Sequence, residues 1–258
     1  MNRTIRLLFA AAALLSSGSL FAQQSGVIEY EVTAQTDPER MRGFQRGGGE
    51  GDDSRQIPDV ITFKQIFTFN NNLGKITTER PDFGGQGGRR QRPDGDTSRG
   101  PRRNGFGMRG NNAQYVDLAN KKYEQVFTTF GDDKKTYYTE EDYIVTANSK
   151  SSDKTKKIAG YICKKATIQL KDDTYTVWYT TELPFSFSPI NGLLPENNAV
   201  VLAAEGGRRA FNATSISLKP VTDAELALPA GAEKVTPEKM RDIRREEMEK
   251  LRKRQPQM

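Results

Sequence analysis

The chain has 258 residues, a formal net charge of +6, one cysteine and no histidine. Without histidine, neither a Ser-His or Cys-His nucleophilic pair nor an imidazole metal ligand is available. A single cysteine excludes an internal disulfide and a thiolate zinc site. We therefore predict no metal site, no cofactor and no catalytic residue of these classes, while carboxylate chemistry stays open.

Residues 1–22 have the pattern of a secretory signal peptide. Arg3 and Arg6 precede the apolar residues 7–15, and the small Ala22 offers a cleavage point. The apolar run is too short to cross a bilayer, and no later run reaches the roughly 18 residues that a membrane helix needs. We predict an exported protein that does not span a membrane and lies in the periplasm, at the outer membrane or outside the cell.

The region 23–222 is typical of an antiparallel β domain. Near its start, "GVIEYEVTA" alternates Ile28, Tyr30 and Val32 with two glutamates, which is the period of a half-buried strand. The stretch "ITFKQIFTFNNNLGKITTE" resumes this pattern, with a turn at residues 70–74. Its apolar face is predicted to carry Ile61, Phe63, Phe67 and Phe69.

Several short strands separated by turn signals follow between residues 114 and 221. We interpret "NSKSSDKTKK", residues 148–157, as a polar break between strands, and Gly206 with Gly207 as a hairpin turn. This spacing favours an antiparallel meander over alternating βαβ units.

Two glycine-rich, charged insertions interrupt the β region, at about 37–56 and 80–112. The second is rich in arginine and has few large apolar residues, so it cannot offset its ordering entropy and is predicted to be disordered. An excess of positive charge is typical of contacts with nucleic acid, anionic lipid or acidic glycan. Export argues against nucleic acid. A solvated loop and a contact with an envelope anion both stay open.

Residues 223–258 are predicted to form a linker and a charged helix. Thr236 is suited to the helix cap, Pro237 to the first helical position and Glu238 to the first turn. An apolar stripe on one narrow arc consists of Met240, Ile243, Met248 and Leu251. Such a stripe is typical of a helix that rests on a sheet, but also of one that binds a membrane surface or a partner.

The stretch "IAGYICKKATIQLKDDTYTVWYTTELP", residues 158–184, holds the only cysteine and the only tryptophan. A two-residue turn at Asp172 and Asp173 predicts a hairpin with one apolar face. That face carries Ile162, Ala166, Ile168, Leu170, Tyr175, Val177, Tyr179 and Leu183. Cys163 and Trp178 then share the polar face, about 13 Å apart along the ladder, without forming a joint site. Cys163 is interpreted as inert, whereas Trp178 needs cover from protein or from a ligand.

The same stretch and the following "FSFSPINGLLPE" resemble the GLPGLI family of exported Bacteroidota proteins. The matching positions are Gly160, Tyr161, Cys163, Lys164, Lys165, Ala166, Trp178, Tyr179, Thr180, Glu182 and Pro184, followed by Gly192, Leu193 and Pro195. The last group departs from the naming motif by an added leucine and by Glu196 in place of glycine. The resemblance covers about residues 26–221 without the insertions. It implies a curved antiparallel sheet, bowl-like or similar to a half-barrel, and supplies no catalytic residues.

Our leading hypothesis is a non-enzymatic cell-envelope protein that binds a lipid, a glycan or a protein partner on the curved sheet, with Trp178 as a possible ligand contact. An accessory subunit that docks on an outer-membrane assembly through its helix and basic loops is the first alternative. A carboxylate-based, glycan-active enzyme is the second, and it requires two acidic side chains that converge in one cleft.

Overall fold

The computed structural model describes residues 25–36, 58–79, 114–130, 133–146, 149–170 and 173–254. The predicted signal peptide and both predicted insertions lie outside these residues. The described part of the chain forms fourteen strands and two helices. In chain order these are β1 (Gly26–Gln35), β2 (Val60–Phe69), β3 (Leu73–Glu79), β4 (Gln114–Asp117), β5 (Lys122–Thr128), β6 (Thr136–Asp142), β7 (Ile144–Val145), β8 (Lys150–Ile158), β9 (Tyr161–Leu170), β10 (Asp173–Thr180), β11 (Leu193–Leu194), β12 (Val200–Glu205), β13 (Arg209–Leu218), α1 (Asp223–Leu226), β14 (Glu233–Lys234) and α2 (Pro237–Arg254).

One large sheet contains twelve of these strands, in the order β14-β6-β5-β4-β3-β2-β1-β13-β12-β10-β9-β8, while β7 and β11 form a short parallel pair. Within the large sheet only β14 and β6 run parallel. The outermost strands β14 and β8 are not paired with each other, so the described sheet is not closed into a barrel. The predicted mainly β fold, with one large antiparallel sheet and a C-terminal helix, is confirmed. The sheet also includes β14, which lies in the predicted linker.

Alternation of apolar and polar residues places the central strands as predicted. In β1, Ile28, Tyr30 and Val32 are buried while the glutamates between them are not. In β2, Phe67 and Phe69 are fully buried, but the other half of the predicted apolar face, at Ile61 and Phe63, is only half-buried. These strands carry the side chains around which the main core forms.

Residues 181–199, which we call the covering segment, pack across the apolar face of the sheet. Phe187 stacks on Phe67 of β2, with ring centroids 3.6 Å apart and an interplanar angle of 6°. The buried hydrophobic side chains of the segment are Leu183, Phe185, Phe187, Ile190, Leu193, Leu194 and Ala199. The sequence predicts that apolar positions on the sheet supply binding area for a ligand. In the described structure that area is occupied by the protein's own chain, because a large apolar surface is most stable when it is removed from water.

The hairpin of β9 and β10 differs from the predicted register by two residues. Leu170 pairs with Asp173, whereas the prediction paired Lys171 with Thr174. A shift of two residues preserves the faces, and Ala166, Ile168 and Val177 are fully buried as predicted. The predicted apolar face is wrong at the start of β9, where Ile162 is 61% exposed.

The predicted polar break is a strand. Residues 150–158 form β8, which lies at one edge of the sheet and pairs only with β9. Edge strands tolerate charged side chains on both faces, and charge there discourages pairing with other chains. The absence of apolar alternation in β8 is therefore a consequence of its position.

The C-terminal helix α2 rests on the sheet. Thr236 caps it, accepting a hydrogen bond at its hydroxyl from the Lys239 N–H at 3.3 Å. Met240 and Ile243 are buried against Phe127 of β5, whereas Met248 and Leu251 are half-buried. Of the two open interpretations of the apolar stripe, packing on the sheet is therefore confirmed for its first half. Neither described helix is both long and apolar enough to span a membrane.

Candidate functional site

Six lysines cluster on the two outermost strands at one end of the sheet. We call this cluster the lysine edge; it consists of Lys150, Lys154, Lys156 and Lys157 on β8 and Lys164 and Lys165 on β9. Asp153 is the only acidic residue in these two strands. Among the described residues, none of the six ammonium groups is within ion-pair distance of a carboxylate. The lysine edge thus presents unneutralised positive charge to solvent.

Trp178 lies beside the lysine edge. It pairs with Lys165 across β9 and with Ala203 across β12, and the Lys156 Nζ is 5.5 Å from the centre of its ring. An ammonium group over an indole face is a cation–π contact. The ring is half-buried and packs against the main core. Protein therefore provides part of the cover that Trp178 needs. The remainder of the ring faces solvent on the side of the sheet that also carries Lys150, Lys156 and Lys165.

The turn before Tyr161 explains the family position Gly160. Ile158 pairs with Tyr161, and the two residues between them, Ala159 and Gly160, have φ angles of 46° and 97°. Two consecutive positive φ values match the twist of a tight hairpin, and glycine adopts them without strain. Gly160 is therefore placed to close the β8–β9 hairpin that carries the lysine edge.

Cys163 is fully buried in the main core. Alternation along β9 places it on the face of Lys165, which we predicted to be polar. Its burial was not predicted. In the observed register it is two positions from the residue opposite Trp178, not four. Burial, together with the smaller effect of the nearby negative charge of Glu182, raises the pKa of the Cys163 thiol to about 11. A thiol that stays protonated at neutral pH is a poor nucleophile.

Most of the remaining family positions hold the fold together. Glu182 accepts a hydrogen bond from the Ile162 N–H at 3.2 Å, Tyr179 is buried on β10, and Pro184 is exposed. Gly192, Leu193 and Pro195 are buried in the covering segment, far along the chain from the hairpin but in the same core. The structure thus brings the two halves of the family pattern together by packing.

A concave feature, which we call the helix cleft, lies between α2 and the adjoining ends of β5 and β6. Its volume is about 550 Å³. The sheet side contributes Thr129, Phe130, Asp133, Lys135 and Tyr137, and the helix side contributes Lys239, Ile243, Glu246, Glu247 and Lys250. Glu247 is only 5% exposed and accepts hydrogen bonds from the Phe130 N–H at 2.9 Å and the Lys250 ammonium at 2.7 Å.

Sequence reasoning missed the helix cleft. It followed only the apolar residues of α2. The spacing of Lys239, Ile243, Glu247 and Lys250 at three or four residues was the available signal, because such residues share one helix face. No group of three or more residues suited to holding a metal ion occurs in the part of the chain that the structure describes.

Comparison with known proteins relates the fold to an N-glycanase domain. A family profile described as "N-glycanase peptide, N-terminal domain" matches residues 109–236, just under half of the chain. A structure of PNGF-II in space group C2 is 17% identical, with a TM-score of 0.55, and the match covers 87% of this chain and 33% of that one. A structure of PNGF-II in space group P21 is also 17% identical, with a TM-score of 0.52 and coverages of 87% and 34%.

The chain thus spans about a third of the length of these solved structures and shares the fold of that third. The comparison with curated proteins found no match. None of these findings bears on the resemblance to the GLPGLI family, which stays a prediction.

Proposed function

We propose that this chain is an exported cell-envelope protein that binds an anionic glycan at the lysine edge, without catalysing a reaction. The carrying observation is the unneutralised charge of six lysines on two adjacent strands, beside the partly exposed ring of Trp178. Ammonium groups at an exposed surface attract carboxylate or phosphate groups, and an aromatic ring offers a flat apolar surface to a sugar. Export is supported by the pattern of residues 1–22.

A glycan is favoured over an anionic lipid by the character of the surface. The positions next to Trp178 on its face are Lys165 and the cross-strand pair of Thr167 and Thr176, which offer an ammonium and two hydroxyl groups. Binding at a lipid surface would instead use an exposed apolar side that enters the acyl region. The similarity to a domain described as part of an N-glycanase is compatible with this choice.

The two alternatives have weaker support. Docking through the helix would use the apolar stripe of α2, but Met240 and Ile243 are already packed on Phe127. A carboxylate enzyme would use the helix cleft, which Asp133, Glu246 and Glu247 line. The most buried of the three, Glu247, is already engaged by the Phe130 N–H and the Lys250 ammonium, so its carboxylate holds the cleft together.

Binding to oligogalacturonate, measured by calorimetry at low and high salt, tests the proposal. Replacing Lys150, Lys156 and Lys165, which share the sheet face of Trp178, by alanine should weaken binding at least about tenfold, since three charge contacts at the surface contribute roughly 0.5–1 kcal/mol each. The matched control replaces the exposed Lys134, Lys219 and Lys253, which removes the same charge elsewhere and should leave affinity nearly unchanged.

Two further arms separate the ligand sources. Vesicles containing phosphatidylglycerol replace the oligosaccharide in one, and a neutral maltooligosaccharide replaces it in the other. Binding to vesicles alone, or equal weakening by both triple variants, would contradict the proposal. Release of glycan from a glycopeptide by the purified protein would overturn its non-catalytic part.

A further inference from the structure

We infer that the helix cleft is a separate binding site for a neutral saccharide. This inference does not depend on the lysine edge, which lies on β8 and β9, whereas the cleft is formed by α2 and the end of β5 and β6. The volume of about 550 Å³ falls within the range of roughly 300–1,000 Å³ that is typical of small-ligand sites.

The charges of the cleft balance. Asp133, Glu246 and Glu247 supply three carboxylates, and Lys135, Lys239 and Lys250 supply three ammonium groups. An anionic or cationic ligand would therefore be attracted by half of these charged groups and repelled by the other half. A neutral ligand avoids this conflict, in contrast to the lysine edge, where charge of one sign predominates.

Hydroxyl groups fit such a lining, because each can donate to a carboxylate and accept from an ammonium group. The aromatic side chains of Phe130 and Tyr137, both half-buried, provide the apolar surface on which the C–H face of a sugar ring packs. Neutral saccharides combine many hydroxyl groups with such a face. They are the ligand class that uses every type of group in the lining.

The cleft is held in place before a ligand arrives. The buried carboxylate of Glu247 ties α2 to the backbone of Phe130, which is 117 residues away in sequence. The turn on the sheet side is braced as well, since the Lys135 N–H donates to the Thr129 hydroxyl at 2.8 Å. Walls that are fixed in advance reduce the entropy lost on binding.

The test uses N,N′-diacetylchitobiose as the probe and amide NMR shifts of the full-length mature chain as the readout. Titration should shift the amide signals of Phe130, Lys239 and Glu246 without shifting those of β8 and β9. The variant Glu246→Ala should weaken binding at least fivefold, and Lys239→Ala should do the same. Both residues are exposed on α2, so the fold should be retained, which thermal unfolding verifies.

The matched control is Glu249→Ala, which removes an exposed glutamate of α2 that does not line the cleft and should leave the affinity unchanged. Absence of shifts at millimolar probe, shifts only at the lysine edge, or equal effects of Glu246→Ala and Glu249→Ala would each overturn the inference. The lysine triple variant should bind chitobiose normally, so failure here is distinguishable from failure of the proposed glycan site at the lysine edge.

Discussion

Glu124 of β5 and Glu140 of β6 are paired directly across the sheet, and their pKa values move in opposite directions. Glu140 accepts hydrogen bonds from the ammonium groups of Lys234 at 2.6 Å and Lys122 at 3.0 Å, which lowers its pKa. Burial raises the pKa of Glu124, and the charge of Glu140 raises it further. Two like residues in one cross-strand pair therefore affect stability with opposite signs.

The variant Glu140→Gln should destabilise the protein at pH 7. Because the pKa of folded Glu140 lies below its ordinary value of 4.5, its contribution is fully present above pH 4.5 and is lost as the pH falls through the folded value. Lys234 is 57% exposed, so solvent screening limits the expected loss to about 0.5–1 kcal/mol. Urea unfolding at pH 7 and pH 3 measures the difference, which should be smaller at pH 3. The exposed Glu141→Gln is the control, and an equal loss in both variants would contradict the assignment.

The variant Glu124→Gln should instead stabilise the protein at pH 7. A carboxyl group with a raised folded pKa favours folding while it is protonated, and this advantage is lost as the pH rises from 4.5 through the folded value. Glutamine has no charge to desolvate and none to repel Glu140. The gain should therefore appear in urea unfolding at pH 7 and be absent at pH 3. A loss of stability at pH 7 would show that the charge of Glu124 is favourable where it lies.

Gly192 should not tolerate alanine, because a Cβ there would lie 2.5 Å from Cδ1 of Tyr143 and the φ angle is +74°. We expect Gly192→Ala to lower the free energy of unfolding by about 2–4 kcal/mol, combining strain in the backbone with overpacking. Gly160→Ala is the matched control, since its φ is +97° but nothing lies within 4 Å of the added carbon. The control should cost about 1–2 kcal/mol, from the backbone alone. Equal losses of unfolding free energy in the two variants would show that contact with Tyr143 adds no steric cost.

The strands and the helix were predictable wherever their signals are local. Alternation alone located Ile28, Tyr30 and Val32 on the buried face of β1, and the sequence Thr236-Pro237 located the start of α2. The covering segment has no such period. Its burial depends on partners such as Phe67, which stacks on Phe187 from 120 positions away in the chain.

The candidate sites were less predictable than the fold for the same reason. Lys164 and Lys165 were recognised as family positions. The strand β8 was interpreted as a break, because an edge strand needs no apolar face. The helix cleft depends on the contact between Phe130 and Glu247, which no local pattern encodes. Charge on a surface can be read from composition, whereas a concave lining exists only after distant elements have packed.

The thiol of Cys163 should react slowly with Ellman's reagent in the native protein. With its pKa raised from 9.0 to about 11, the thiolate fraction at pH 8 is about a hundredfold lower than that of an ordinary thiol. Burial slows attack further, and guanidinium should restore a normal rate. The variant Glu182→Gln keeps an oxygen that can accept from the Ile162 N–H but removes a charge that raises the pKa, so native labelling should become faster.

The control for this experiment is Glu205→Gln, an exposed change on β12 that should leave the labelling rate as it is. Labelling of the native protein as fast as in guanidinium would contradict the buried position of Cys163. Unchanged labelling in Glu182→Gln would instead mean that desolvation alone holds the proton on the thiol. The two results separate burial from charge, because the first depends on access to the sulfur and the second on the free energy of its ionisation.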